Sequence, residues 1–182
     1  MISFFLQLFV VLAAIVYIWF LIENEINRYR KGHIIYYASN GKLVVPLIAR
    51  LLPEFLEAGD SYSLVELGAG LAPVARGLAS ARNWSEIVAV EWARSLAVLA
   101  RLCGRGRIKV VRGSVFDYAI PKPSVVYCYL APEIMKSLYE SGAFSGCLVF
   151  SLTFAIEGVE AERTLTLAHW QSPLRIYDLR YR

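Results

Sequence analysis

Residues 64–73 read LVELGAGLAP. An apolar run carries an acid at Glu66, a turn follows at Gly68-Ala69-Gly70, and Pro73 stands where a helix would start. Glycines at such a place let the backbone turn sharply and approach a ligand closely. A lone G-x-G decides little by itself. It gains meaning in an open α/β sheet, where ligands bind beyond the carboxyl ends of the strands. The flanking sequence therefore has to be read for alternation of strand and helix.

That alternation is present. Short apolar strands are predicted at 63–67, 86–91, 107–113, 124–130 and 146–154. Helices are predicted between them at 71–81, 92–103 and 132–141, the last opened by Pro132, which suits a first helical turn. Leu96, Leu99 and Leu102 are expected on one face of the second of these helices. Upstream, Leu43, Val44, Leu47, Ile48, Leu51, Leu52 and Phe55 recur at helical spacing over 41–58, before Gly59-Asp60. Two final strands near 162–168 and 174–181, separated by WQSP, read as a hairpin. Continuous apolar strands separated by helices predict a mostly parallel sheet covered on both faces, with an antiparallel edge. No internal repeat or low-complexity segment interrupts the pattern.

The chain is 57% hydrophobic and only 19% charged, with a mean hydropathy of +0.49. Soluble domains lie near about 45–50% apolar and 25% charged. Much of the excess is at the front, where residues 2–22 read ISFFLQLFVVLAAIVYIWFLI without a charge. About 20 apolar residues suffice to cross a bilayer as a helix, and Tyr17 and Trp19 lie near one end, where interfacial aromatics belong. No basic residue precedes the run and no small-x-small site follows it, which argues for an anchor over a cleaved signal peptide. Arg28, Arg30 and Lys31 come next, and the positive-inside tendency predicts a single pass with the remainder facing the cytoplasm. The expected organisation is thus an anchor and juxtamembrane linker over 1–33 and one domain over 34–182.

A net charge of +4 comes largely from arginines, 14 against 5 lysines. No basic block with interleaved aromatics points to nucleic acid; attraction to anionic headgroups explains the trio after the anchor. Cys103, Cys128 and Cys147 are widely spaced and read as buried thiols. With only His33 and His169 besides, no cluster has metal-ligand spacing, and no metal is expected.

Glu91, at the end of the second strand, follows Gly68 by 23 residues. A carboxylate there is placed to grip ribose hydroxyls, so a nucleoside-bearing cofactor is expected at Gly68, Ala69, Gly70 and Glu91. A dinucleotide site wants a third glycine and a helix N-terminus facing pyrophosphate. Here Ala72 and Pro73 occupy that region, Pro73 removes a backbone donor, and Glu66 opposes phosphates by charge. A carboxylate suits a cationic, amino-acid-bearing nucleoside, which favours S-adenosylmethionine (SAM) over NAD. Trp92 is placed to pack on the adenine edge or on the sheet.

With these residues in view, E-L-G-A-G followed by A-V-E resembles the first two motifs of class I SAM-dependent methyltransferases. VVYCYLAPEIMKSL at 125–138 is similar to the fourth-strand signature of the small archaeal protein-lysine methyltransferases and their membrane-anchored mitochondrial relatives. SLTFAIEG at 151–158 resembles their S-x-x-F-x-I-x-G segment. The resemblance covers residues 34–182. It implies a Rossmann-like methyltransferase sheet and methyl transfer from SAM to lysine of a protein at or near the membrane. By the same resemblance Tyr129, Pro132 and Glu133 stand beside the reacting methyl, Tyr129 shaping an amine channel and Glu133 orienting the amine or the turn. Ser114, with Val115, takes the adenine side, Tyr37 and Asn40 lid the cofactor, and Phe154 lines the substrate side. The chain departs from the family's D-L-G-S-G-D-G-R at Glu66 and at Leu71-Ala72-Pro73, and has Ser114 where an acid is common. Those departures keep open a non-catalytic protein on the same fold.

Overall fold

The structure, a computed structural model, describes residues 2–31, 41–167 and 172–181. A helix without glycine or proline, α1 (Ile2–Lys31), takes in both the apolar run and the polar segment after it. Thirteen of its large apolar side chains are exposed, Phe5, Phe9 and Tyr17 each by more than 60%. Counted over the described side chains, which in α1 are those of residues 5–19, 21 and 22, no helix is long and apolar enough to cross a membrane. The membrane span expected over 2–22 therefore has no direct support from the fold. Phe9, Leu12, Ala13, Val16 and Tyr17 line an apolar groove against Leu71, Leu96 and Leu99.

The second helix, α2 (Gly41–Phe55), buries Val44, Ile48, Leu51 and Leu52 and keeps Pro46 and Pro53 on its exposed side. Then follow β1 (Ser63–Leu67), α3 (Pro73–Leu78), β2 (Ile87–Glu91), α4 (Arg94–Gly104), β3 (Lys109–Arg112), β4 (Ser124–Cys128), α5 (Pro132–Glu140), β5 (Cys147–Leu152), β6 (Arg163–Thr166) and β7 (Pro173–Asp178). One seven-stranded sheet has the order β3-β2-β1-β4-β5-β7-β6. The first five strands are parallel, and β7 runs antiparallel between β5 and the edge strand β6. The parallel sheet, the alternating helices and the antiparallel edge match the sequence reading.

Every residue of β1, β4 and β5 is buried. This is what helices on both faces of a parallel sheet produce, and each buried Val or Leu contributes about 1.5–3 kcal/mol. One face packs Val44, Ile48 and Leu52 of α2 on Leu64, Val125 and Leu148; the other packs Met135 and Leu138 of α5 on Val126 and Val149. Between α2 and α3 the approach is close: a Cβ on Gly77 would lie 2.5 Å from Val45 Cγ2.

Several boundaries move. The helix expected over 71–81 is only six residues long, because Ala72 is left-handed (φ 54°) and Pro73 opens it. The fourth strand ends at Cys128, so Tyr129 and Leu130 lie in the following turn. In α4, Leu96 is buried and Leu102 is 71% exposed. Cys128 and Cys147 are buried as expected and Cys103 is exposed. Expectations for Tyr37, Asn40, His33 and His169 fall outside the described residues.

Candidate functional site

Strand order puts β1 between β2 and β4, and register aligns Leu67 with Cys128 and Val90. The glycine turn after β1 therefore lies between the end of β2, which carries Glu91, and the turn after β4, which carries Tyr129. This is the point where chain order reverses across the sheet, the usual ligand crevice of such folds.

Gly68 and Gly70 adopt left-handed conformations, φ 65° and 55°. Only glycine takes these without penalty. A Cβ on Gly68 would lie 2.7 Å from Leu130 Cδ2, so the glycine turn and the post-β4 turn touch. The Ala69 amide donates to the Val90 carbonyl at 3.0 Å, and the Ala72 amide closes the turn on the Ala69 carbonyl at 2.7 Å.

Two buried carboxylates flank this turn. Glu91 Oε2 accepts the Gly70 amide at 2.6 Å and Oε1 accepts the Ala93 amide at 2.7 Å. Glu66 Oε2 accepts the Ala75 amide at 2.6 Å, in the first turn of α3. Ala72, the residue at that helix's cap position, has no side chain able to do this. Glu66 thus serves as a remote cap, and Pro73, which offers no amide, costs nothing at that position. Burial pushes the Glu66 carboxyl up to about 8, against the lowering effect of the Ala75 and Val74 amides and of Arg76, while the Glu91 charge adds to the rise.

Beyond β3, the Gly113 amide donates to the Glu91 carbonyl at 3.1 Å, which holds Ser114 and Val115 next to the end of β2. Ser114 Oγ accepts the Phe116 amide at 3.2 Å. Trp92 is half-buried beside Glu91. Of the residues read from sequence, Glu66, Gly68, Ala69, Gly70, Glu91, Trp92, Ser114 and Val115 lie at the carboxyl ends of β1, β2 and β3 or in the turns that follow them.

Tyr129 lies on the other side of the glycine turn and stacks on Phe154, ring centroids 5.8 Å apart at 22°. Pro132 and Glu133 form the exposed first turn of α5, where an acid complements the helix dipole. Sequence reading missed what fixes the Phe154 side of this pair. Ser151 Oγ donates to the Phe154 carbonyl at 2.7 Å, and Arg175 donates to the Thr153 carbonyl. Thr153 itself is left-handed (φ 69°), and its buried Oγ1 has no partner among the described residues. A β-branched residue in that conformation is strained, and its sequence gives no signal of it.

A cavity of about 630 Å³ lined by Leu56, Asp60, Arg82 and Asn83 opens at the amino ends of β1 and β2, and it includes none of these residues. Among the described residues no cluster of His, Cys, Asp and Glu could hold a metal ion.

Comparison by sequence finds no matching protein family and no curated relative. Comparison by structure does find similar folds. An RNA methyltransferase from Salinibacter ruber, in complex with S-adenosyl-L-homocysteine, is 19% identical with a TM-score of 0.61, over 81% of this chain and 95% of that one. A ribosomal protein L11 methylase from Lactobacillus delbrueckii is 14% identical with a TM-score of 0.56, over 73% and 78%. A SAM-dependent methyltransferase from Leishmania major is 11% identical with a TM-score of 0.56, over 75% and 71%. The chain has the Rossmann-like fold of SAM-dependent methyltransferases.

Proposed function

We propose that the chain is a SAM-dependent methyltransferase, held at a lipid bilayer by α1 and acting on lysine of a protein at that membrane. The observation that carries the reading is the glycine turn between two buried carboxylates, Glu66 and Glu91, at the carboxyl ends of β1 and β2. The Glu91 carboxylate suits a cationic nucleoside bearing hydroxyls and opposes a pyrophosphate, while the buried Glu66 carboxyl, which keeps its proton near neutral pH, adds no charge. Glu91 holds the turn through two backbone amides and ends β2 beside it, the position from which a carboxylate meets ribose hydroxyls. The exposed Gly68 supplies the close backbone approach, and Ser114 and Trp92 border the adenine side. When bound, SAM supplies a methyl group already activated by the sulfonium.

The protein's own part is positioning. Tyr129 and Phe154 wall the side of the crevice opposite Glu91, and an aromatic, water-poor channel favours the neutral amine that must attack. Lysine as acceptor is supported by the Y-L-A-P-E turn and S-x-x-F segment, both of which reach this wall. The exposed apolar residues of α1 support the bilayer as its surroundings, since monomeric soluble proteins rarely leave so large a patch to water. Arg28, Arg30 and Lys31 support a single pass with the domain on the cytoplasmic side.

The test is transfer of radiolabelled methyl groups from SAM into a native membrane fraction, followed by mapping of the modified residue. Label on lysine of a membrane protein supports the reading in full. Label elsewhere keeps the activity and removes the lysine assignment. SAM binding without transfer supports the non-catalytic alternative suggested by Leu71-Ala72-Pro73.

A further inference from the structure

Five of the fourteen arginines gather along one edge of the fold. Residues 92–116 contain six basic side chains, Arg94, Arg101, Arg105, Arg107, Lys109 and Arg112, and no acid. All six are exposed. On α4 the exposed positions Arg94, Val98, Arg101 and Leu102 recur at spacings of three and four, one stripe of a helix, and the exposed Arg105 caps its C-terminus. Arg101 reaches from α4 to the Val110 carbonyl at 3.2 Å, joining the stripe to the edge strand β3. Within the stripe Leu102 is 71% exposed and Val98 38%. Glu86, just before β2, meets Lys109 at 3.7 Å, and Glu91 of β2 is in register with Arg112.

We infer that this α4–β3 edge is a lipid-headgroup surface that lays the domain on an anionic bilayer. Arginines interleaved with aliphatic residues match an interface of phosphates over acyl chains. A nucleic-acid surface would want stacking aromatics among the arginines, and the stripe has none. The inference extends the membrane reading of α1 and rests on it in part.

Cys103 gives a native probe: it is exposed beside Leu102, while Cys128 and Cys147 are buried. The full chain, labelled at Cys103 with a polarity-sensitive fluorophore, is placed in nanodiscs of phosphatidylcholine alone or of phosphatidylcholine with phosphatidylglycerol. The expected result is blue-shifted emission only with the anionic lipid, reversed by salt. Arg105→Glu with Arg107→Glu should lower the docked-to-undocked ratio at least tenfold, since each basic residue near an anionic surface is worth about fivefold. Arg105→Lys with Arg107→Lys should retain the shift, and equal melting temperatures for both variants exclude unfolding as the cause. A chain that enters the discs while the probe ignores lipid charge defeats this inference and leaves the anchor standing. A chain that stays out of the discs yet shifts on anionic vesicles does the reverse. Emission that responds to single-stranded RNA and not to anionic lipid overturns the assignment in favour of a nucleic-acid surface.

Discussion

Glu91 Oε2 accepts the backbone amide of Gly70 at 2.6 Å, so the end of β2 holds the turn that follows β1. Its other oxygen holds the Ala93 amide at 2.7 Å. One side chain therefore shapes the turn and presents a carboxylate to the crevice. Glu91→Ala leaves two amides without their acceptor, at about 1–3 kcal/mol each. We expect a loss of about 3 kcal/mol, or roughly 10 °C in Tm, measured by thermal unfolding. Glu91→Gln keeps one acceptor and should lose about half as much; equal losses for the two variants would contradict this account of the turn.

Gly68 and Leu130 form the contact between the glycine turn and the post-β4 turn. Gly68→Ala introduces a left-handed alanine, costing about 1–2 kcal/mol, and a steric conflict with Leu130. Leu130→Ala in the same chain should relieve the second effect and not the first. A double-mutant cycle by denaturant unfolding should show coupling of about 1 kcal/mol, whereas strict additivity would place the two residues apart.

Glu66 makes stability depend on pH. Its carboxyl is raised from 4.5 to about 8 by burial. Between those values the unfolded chain has lost the proton and the folded chain keeps it. Unfolding is therefore favoured as pH rises, with a slope on the order of 1.4 kcal/mol per unit. Glu66→Gln still offers an oxygen to the Ala75 amide and stays neutral. Denaturant unfolding at several pH values should find this decline in the parent and a flatter profile in the variant.

The proposed function puts Tyr129 on the acceptor side. Tyr129→Ala removes the stack on Phe154 and should lower methyl transfer on the order of tenfold or more, as loss of alignment does, with SAM affinity unchanged. Tyr129→Phe retains the ring and most of the rate. Loss of SAM affinity in Tyr129→Ala, read by calorimetry, would move Tyr129 to the cofactor side.

What the sequence made legible was the alternation and the glycine turn. Gly68, Gly70 and Glu91 follow local rules, because a left-handed turn demands glycine and a strand end sets where an acid points. What was not legible depends on contacts that the local pattern does not show. Tyr129 looks like a continuation of β4, but it leaves the strand to stack on Phe154, 25 residues on. Leu102 fits the apolar period of α4, yet it faces outward on the basic edge of the sheet. Glu66 reads as a cofactor ligand, while its Oε2 caps α3, a duty created by Ala72 and Pro73. Thr153 has a conformation that its residue type disfavours, imposed by the bonds that Ser151 and Arg175 make around it.

The central claim is that the crevice between Glu66, Gly68 and Glu91 binds SAM. Titration calorimetry of the full chain in detergent tests it most directly, with a thermal unfolding scan of the same sample to establish that the domain is folded. The account predicts saturable binding of one SAM per chain, at least tenfold weaker in Glu91→Gln, and no response to NADH. A folded chain that gives no heat with millimolar SAM would contradict it, and saturable NADH binding would assign the crevice to a dinucleotide instead.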